Sequence, residues 1–256
     1  MRFSLSLCAL PLAAVLITAP APVRADVIEL RADLWCPYNC EPDSKRPGYM
    51  IEIAREALAP FGHDVRYRTL NWLRSIDKAR RNEVQGIVGA VEREAPDFVF
   101  GPALGPLADG IVMRKGDEIA LDEPDPFEGM RVGAIRGYEY HGPLAAYIER
   151  HKDDRSRVQF AHGDDALLKN LRKLSAGRID VVAEDMNVIR HQVAAERLRG
   201  LAVHSLDVPE PGFVAFSPAN PESKRYAREM TEGVERLRRS GRLAEIMAAY
   251  GLPVWK

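Results

Sequence analysis

The sequence is organised around one stretch, Asp33-Leu34-Trp35-Cys36-Pro37-Tyr38-Asn39-Cys40, which directly follows the strand-like run Val27-Ile28-Glu29-Leu30-Arg31. Two large aromatic residues, a proline and two cysteines therefore stand where the first strand of an α/β pattern ends. Ligands of open α/β sheets bind just outside the carboxyl ends of strands. Trp35 and Tyr38 each present a flat apolar face with one polar tip, which suits the lining of a small-molecule cleft. Taken alone, either residue is explained equally well as the cover of a core edge.

Residues 1–25 have the pattern of a secretory signal peptide. Arg2 supplies a positive start, residues 3–18 are apolar and small, and Val23-Arg24-Ala25 gives a small-x-small cleavage pattern before Asp26. The apolar run is too short and too interrupted by proline for a membrane span. We therefore expect a protein exported to the periplasm.

Removal of this signal leaves two cysteines, Cys36 and Cys40. An even count in an oxidising compartment favours a disulfide between them, which would stiffen the aromatic loop. A redox site is less favoured because the spacing is C-x-x-x-C rather than C-x-x-C. A zinc site would need a second ligand pair at suitable spacing, and none is visible. We expect no metal and no cofactor.

Composition and order limit the architecture. The chain carries 36 Lys and Arg against 37 Asp and Glu, and no basic stripe indicates nucleic-acid binding. A strand–loop–helix pattern recurs on both sides of a change in composition near residues 106–127. This pattern predicts two α/β lobes. Residues 179–183 read as a buried strand, with Glu184-Asp185-Met186-Asn187 at its carboxyl end.

Several motifs, taken in order, carry a family likeness. They are Asp33-x-Trp35-x-Pro37-Tyr38, Gly48-Tyr49-x-Ile51-x-Ile53-Ala54, Phe98-x-Phe100-Gly101-Pro102, Val112-x-Arg114-Lys115-Gly116, Ala176-Gly177-Arg178-Ile179-Asp180-Val181 before Glu184-Asp185, and Ser240-Gly241-Arg242-Leu243. The chain resembles the periplasmic solute-binding proteins of family 3, the polar amino-acid family with the type II binding-protein fold. The likeness covers essentially all of the chain after the signal.

The resemblance implies an α/β fold of two lobes, each a mostly parallel sheet flanked by helices. Two crossing strands, near residues 111–114 and 212–217, would join the lobes. Residues 26–111 and 213–256 would form the first lobe, and residues 112–212 the second. Ligand binding would close the lobes by a hinge motion.

The resemblance also implies site residues. In the family an aromatic residue after the first strand stacks on the ligand, and an aspartate after a strand of the second lobe receives the ligand ammonium. Trp35 and Asp185 occupy these places, and Tyr38 lies beside the first. Asp185 is explained equally by capping of the helix that follows it.

One segment departs from the family pattern. Members that bind α-amino acids carry Ser or Thr donors and an arginine for the ligand carboxylate, whereas this segment reads Gly89-Ala90-Val91-Glu92-Arg93-Glu94-Ala95-Pro96. Arg93 is one residue out of register, and it either substitutes for that arginine or pairs with Glu92 or Glu94 at the surface.

Three further positions belong to the candidate site. Tyr138 stands in the second lobe where small hydroxyl residues are frequent in the family. Arg74, beside Trp72 near a helix start, is a second candidate partner for an anion, with simple surface exposure as the alternative. These departures leave specificity for α-amino acids open.

Three functions are compatible with these observations. The first is a monomeric solute-binding protein that delivers a small polar, nitrogen-bearing ligand to an ABC permease of the inner membrane. The second is an enzyme on the same scaffold, similar to cyclohexadienyl dehydratase, with Glu184 or Glu139 as general acid or base. The third is a binding module that signals to a separate receptor.

Overall fold

The computed structural model describes residues 25–206 and 208–255, and its strands form two five-stranded sheets. The first sheet has the order β2-β1-β3-β10-β4, with β1 (Val27–Ala32), β2 (Asp64–Thr69), β3 (Gly86–Ala90), β4 (Val99–Leu107) and β10 (Glu210–Phe216). The second has the order β7-β6-β8-β5-β9, with β5 (Asp109–Arg114), β6 (Val132–Ile135), β7 (Val158–Ala161), β8 (Val181–Asp185) and β9 (Leu201–Ser205). The helices are α1 (Tyr49–Leu58), α2 (Trp72–Arg80), α3 (Gly142–His151), α4 (Ala166–Ser175), α5 (Met186–Ala195), α6 (Ser223–Arg239) and α7 (Arg242–Ala249).

The predicted α/β fold with two sheets flanked by helices is confirmed. In the first sheet β1 runs parallel to β2 and β3, whereas β10 is antiparallel to β3 and β4. In the second sheet β6 runs parallel to β7 and β8, whereas β5 is antiparallel to β8 and β9. Each sheet is therefore mixed, with antiparallel pairing around the strand that adjoins a crossing between the sheets.

The chain changes sheets at Ala108, between β4 and β5, and returns between β9 and β10. The crossings were expected near residues 111–114 and 212–217. These two ranges lie largely within β5 and β10, each of which begins after the point where the chain changes sheets. From the sequence, Pro102, Gly105 and Pro106 predict a break in the aromatic strand that contains Phe98 and Phe100, but β4 continues to Leu107. Prolines are tolerated in β4 because it is an edge strand paired only with β10.

The aromatic loop after β1 is fixed to the start of α1. The backbone N–H of Tyr49 donates to the carbonyl of Pro37 (3.0 Å), and that of Met50 donates to the carbonyl of Tyr38 (3.1 Å). Loop carbonyls thus satisfy two donors of the first helical turn, which helices otherwise leave unpaired. Gly48 permits this approach, because a Cβ there would lie 2.3 Å from the Tyr38 carbonyl oxygen.

The predicted disulfide between Cys36 and Cys40 is present and closes the same loop. The predicted signal peptide lies outside the described residues, apart from Ala25. Within the described part of the chain, no helix combines the length and apolar character needed to cross a membrane.

Helices α1 and α6 pack closely enough to require a glycine. Gly233 of α6 is buried against the backbone of α1, where an added Cβ would lie 2.2 Å from the carbonyl oxygen of Ala57. The neighbour is main chain rather than a flexible side chain, so a larger residue forces one helix to move.

We expect Gly233→Ala to lower the free energy of unfolding by about 1–3 kcal/mol, the usual cost of overpacking a core. Alanine normally stabilises an exposed helix relative to glycine by about 1 kcal/mol, so the sign of the effect is diagnostic. Urea unfolding followed by circular dichroism would measure it. Glu232→Ala, one residue away and exposed, is the matched control and should change stability by less than about 0.5 kcal/mol. Equal stability of Gly233→Ala and the parent would show that the helices are not in this close contact.

Candidate ligand-binding cleft

A cavity of about 70 Å³ is lined by residues from both sheets. The first sheet and its loops contribute Asp33, Trp35, Trp72, Gly89, Arg93, Glu94 and Glu210, among others. The second contributes Asp109, Tyr138, Glu139, Tyr140, Glu184 and Asp185. Several of these residues follow the ends of β1, β3 and β8, so the cavity lies where the sheet topology favours ligand binding.

The cavity brings together five of the seven predicted ligand residues, Trp35, Trp72, Arg93, Tyr138 and Asp185. Tyr38 lies beneath the cavity as a fully buried side chain. Arg74 is exposed on α2 and is not among the lining residues. Its backbone N–H donates to Oδ1 of the helix N-cap Asn71 (3.4 Å), and its side chain fits the surface alternative.

Trp35 reaches from the first lobe to the second. Its indole Nε1 donates to Oε1 of Glu184 (2.8 Å), and its ring stacks on that of Tyr38 with a centroid separation of 4.5 Å. Gly89 of β3 makes room for the indole, since a Cβ there would lie 3.3 Å from two ring carbons. One face of the indole is thus packed by the protein, and the residue as a whole remains half-buried.

Asp185 is held by the protein itself. Its Oδ1 accepts hydrogen bonds from the backbone N–H groups of Asn187 (2.7 Å) and Val188 (3.1 Å) and from the hydroxyl of Tyr38 (3.0 Å). Its Oδ2 accepts from the backbone N–H of Ala108 (2.8 Å), the residue at which the chain changes sheets. Capping of α5, the alternative role, accounts for these contacts, and burial raises the pKa of Asp185 to about 6.

Glu184 has one oxygen engaged and one unengaged. Oε1 accepts from the Trp35 indole and from the backbone N–H of Asp185 (2.8 Å), whereas Oε2 accepts no hydrogen bond from the described residues. Burial raises the pKa of Glu184 to about 8, which outweighs the lowering effect of the indole hydrogen bond. At neutral pH this carboxyl group is therefore mostly protonated.

Asp33 and Tyr138 form a second link across the cavity. The Tyr138 hydroxyl donates a short hydrogen bond to Oδ2 of Asp33. Burial raises the pKa of Asp33 to about 6. Asp33 lies in the aromatic loop directly after β1, but its side chain was not predicted to belong to the site.

Arg93 lies at the edge of the cavity and is already paired. Its guanidinium contacts the carboxylate of Glu210, and its Nε donates to Nε2 of His141 (2.6 Å). Nδ1 of His141 lies 2.9 Å from Oδ2 of Asp109. The predicted surface partners of Arg93, Glu92 and Glu94, are replaced by groups from distant parts of the chain.

Glu94 differs from Asp33 and Glu184 in that neither of its side-chain oxygens is bonded within the described part of the chain. No described residue donates a hydrogen bond to its side chain, and burial raises its pKa to about 7. The sequence reading considered Glu94 only as a surface partner of Arg93. The turn after β3 brings Glu94 to the cavity. This position, and nothing in the local sequence, indicates that Glu94 belongs to the candidate site.

The lining as a whole is acidic. Seven carboxyl groups line the cavity (Asp33, Glu94, Asp109, Glu139, Glu184, Asp185 and Glu210), and Arg93 is the only Lys or Arg among the lining residues. Within the described ranges, no group of three or more His, Cys, Asp or Glu residues is arranged to hold a metal ion. The arrangement suits an organic cation with an apolar body, since aromatic side chains and carboxyl groups line the same cavity.

No protein-family model matches the sequence, and no curated protein matches it either. Solved structures do match. A histidine kinase sensor domain similar to periplasmic binding proteins has a TM-score of 0.72 and 20% identity, over 91% of this chain and 100% of that one.

Two further matches are binding proteins. The structure described for glutathione import through GshT and the cystine ABC importer TcyBC of Streptococcus mutans has a TM-score of 0.73 and 16% identity, over 91% of this chain and 98% of that one. An ancestral amino-acid-binding protein, a precursor of cyclohexadienyl dehydratase, has a TM-score of 0.62 and 14% identity, over 88% and 94%. At such identities the likeness establishes the fold and not the ligand. The chain has the two-lobed fold of periplasmic solute-binding proteins.

Proposed function

We propose that this chain is an extracytoplasmic solute-binding protein whose cleft captures a small ligand carrying a cationic nitrogen. The observation that carries the proposal is a set of three carboxyl groups that line the cavity and keep oxygens unengaged by described residues: Glu184, which is buried, and Asp33 and Glu94, which are half-buried. Burial of a carboxylate is costly unless a cation compensates it. A ligand ammonium or guanidinium would supply that compensation and would pair with these oxygens.

The aromatic residues define the rest of the ligand. Trp35 and Tyr138 both line the cavity, and each bonds a carboxyl group from the other side of the cleft, so an apolar segment of the ligand would contact aromatic rings. Arg93 is the one candidate for a ligand carboxylate, and it is already paired with Glu210 and His141. This favours amines and amino acids with cationic side chains over neutral or acidic amino acids.

The proposal includes the two-lobe organisation that the fold implies. Residues 26–111 and 213–256 act as one lobe and residues 112–212 as the other, with hinge motion about the two crossings. The protein works as a monomer in the periplasm and hands its ligand to an ABC permease of the inner membrane. Binding proteins of amino-acid ABC importers with the same fold support this assignment.

Two alternatives each have one supporting observation. A sensing role is supported by the fold likeness to a histidine kinase sensor domain, and neighbouring genes for a receptor rather than a permease would favour it. An enzymatic role is supported by Glu184, because a carboxylic acid that stays protonated at neutral pH is suited to general-acid catalysis. Turnover of prephenate or arogenate, lost in Glu184→Gln, would establish that role.

A thermal-shift and calorimetric screen tests the proposal directly. We expect lysine, arginine, agmatine and linear diamines to raise the melting temperature of the purified protein, because each brings a cation to the cavity. Glutamate and succinate, which bring only additional negative charge, should have no effect. Stabilisation by the acids alone, or by no compound of either group, would contradict the proposal.

Trp35→Ala should weaken binding of a ligand from that screen at least tenfold, equivalent to about 1.4 kcal/mol. The change removes the stacking face and the donor that orients Glu184. Isothermal titration calorimetry measures the effect, and circular dichroism checks that the fold is kept. Trp255→Ala is the matched control, since Trp255 packs near Arg238 and does not line the cavity. Unchanged affinity of Trp35→Ala would exclude the indole from the site.

The raised pKa of Glu184 predicts opposite effects of pH on stability and binding. The folded protein keeps the proton of Glu184 up to about pH 8, whereas the unfolded chain loses it near the usual pKa of about 4.3. The free energy of unfolding without ligand should therefore fall as pH rises from about 5 to about 8. Affinity for a cation should rise over the same interval, and binding at pH 7 should release protons.

Glu184→Gln removes the titration and keeps an acceptor for the Trp35 indole. We expect this variant to show a flatter dependence of both melting temperature and affinity on pH. Glu128→Gln, at an exposed site, is the control and should follow the parent. Identical pH profiles of Glu184→Gln and the parent would show that Glu184 does not carry the linkage.

A further inference from the structure

A second polar cluster surrounds Asp26, at the start of β1 and away from the cavity lining. The backbone N–H of Asp26 donates to Nδ1 of His63 (3.2 Å), and Nε2 of the same ring lies 2.8 Å from Oε2 of Glu229. The His63 side chain is fully buried. Because Nδ1 accepts, the neutral ring carries its hydrogen on Nε2 and donates it to Glu229.

The rest of Asp26 is also held. Its carboxylate contacts the guanidinium of Arg225, which also bonds Glu222 (2.7 Å). Its carbonyl accepts from the backbone N–H of Asp64 (3.0 Å). Nitrogen, carbonyl and side chain of one residue are thus engaged by three different segments, the turn before β2, β2 itself and α6.

The contacts that hold Asp26 begin directly after the Ala25–Asp26 peptide bond. Ala25 is exposed, whereas Asp26 is half-buried. The signal-peptide pattern Val23-Arg24-Ala25 places cleavage between these two residues. Of the residues that the structure describes, from Ala25 onward, the first one held by side chains of the fold is therefore the first one that cleavage would leave.

We propose that the cluster of His63, Glu229 and Arg225 is a receiving site for the α-ammonium group of a mature chain that begins at Asp26. A leader peptidase hydrolyses the Ala25–Asp26 amide: the C–N bond breaks, the oxygen of a water molecule completes the Ala25 carboxylate, and both hydrogens of that water pass to the Asp26 nitrogen, which becomes a primary ammonium. The ligand class of the site is thus a primary ammonium supplied by the chain itself. The inference rests on the predicted signal peptide and is independent of the ligand in the cleft.

The local chemistry suits that product. An α-amino group has an ordinary pKa of about 7.7–8.0, so it is mostly charged at neutral pH. Its hydrogens can satisfy Nδ1 of His63 as the amide N–H does, and they leave donors for neighbouring oxygens. Among the described residues, the carboxylates of Asp26, Glu222 and Glu229 are paired with a single guanidinium, that of Arg225. Negative charge is therefore in excess, and an added positive charge is favourable there.

The position of the cleavage is the first test. The full chain, leader included, is expressed in a Gram-negative host, recovered from the periplasm and weighed by intact mass spectrometry. We expect a protein that begins at Asp26. A start at any other residue would overturn the proposal, because the ammonium would then lie outside the cluster.

The second test separates the stabilising effect of the α-ammonium group from the effect of the Asp26 residue itself. A chain that begins at Asp26 is compared with one extended by Gly-Gly before Asp26, and with its N-acetylated form. We expect both changes to lower the melting temperature by about 2–4 °C, since they move or remove the charge and leave the sequence of the fold intact. Equal melting temperatures of all three forms would overturn the proposal.

Two variants on α6 locate the effect. In Glu229→Gln the difference between the Asp26 start and the extended chain should shrink, because the partner of His63 loses its charge. Glu235→Gln, exposed on the same helix, should leave the difference unchanged. A difference that persists in full in Glu229→Gln would place the effect elsewhere, and the comparison within the parent sequence stands whether or not that variant folds.

Discussion

Two hydrogen bonds from one short loop join the two lobes. Trp35 bonds Glu184 and Tyr38 bonds Asp185, so residues three apart in the first lobe meet neighbours in the second. The loop can serve as this junction because its own position is fixed on the other side, where its carbonyls satisfy the first donors of α1 and a disulfide closes it. The cavity, the end of β8 and the start of α5 all take their places from this contact.

The same contact explains why acidic groups can be buried at the junction. Asp185 receives four hydrogen bonds from backbone and hydroxyl donors, so its charge is distributed over neighbours. Glu184 receives two on one oxygen and instead stays protonated at neutral pH. Adjacent carboxyl groups thus have different surroundings: both oxygens of Asp185 are hydrogen-bonded, whereas Oε2 of Glu184 accepts no hydrogen bond from the described residues.

Much of the fold was predictable because local pattern determines it. The run before Trp35 is β1, and the carboxyl end of β8 carries Glu184 and Asp185 as the sequence indicated. The prolines of β4 led to a wrong prediction of where this strand ends. Proline disrupts a central strand but is tolerated in an edge strand, and the position of a strand within its sheet cannot be read from the local sequence. The lobe boundaries at 111 and 212 depend on the same crossings and remain a prediction.

The site was less predictable, because its contacts join distant positions. Arg93 bonds His141 and Glu210, which lie 48 and 117 residues away in the sequence. The local sequence around Arg93 therefore cannot show that its guanidinium is already paired. Glu94 and Asp33 look like ordinary surface carboxylates until the fold buries them. Trp35 and Tyr138 were found through family resemblance, whereas the excess of carboxyl groups around them became visible only when the two sheets were brought together.

The two side-chain bridges across the cleft, Trp35 to Glu184 and Tyr138 to Asp33, have a kinetic consequence. Separation of the two lobes would break both bridges, whereas a cation could pair with the unengaged oxygens of Asp33 and Glu184 and leave the bridges in place. If the proposed ligand enters only between separated lobes, its rate of entry depends on how often the bridges open and not on how often ligand molecules collide with the protein. Every ligand would then bind more slowly than collision allows, because only the open fraction of the protein could accept it.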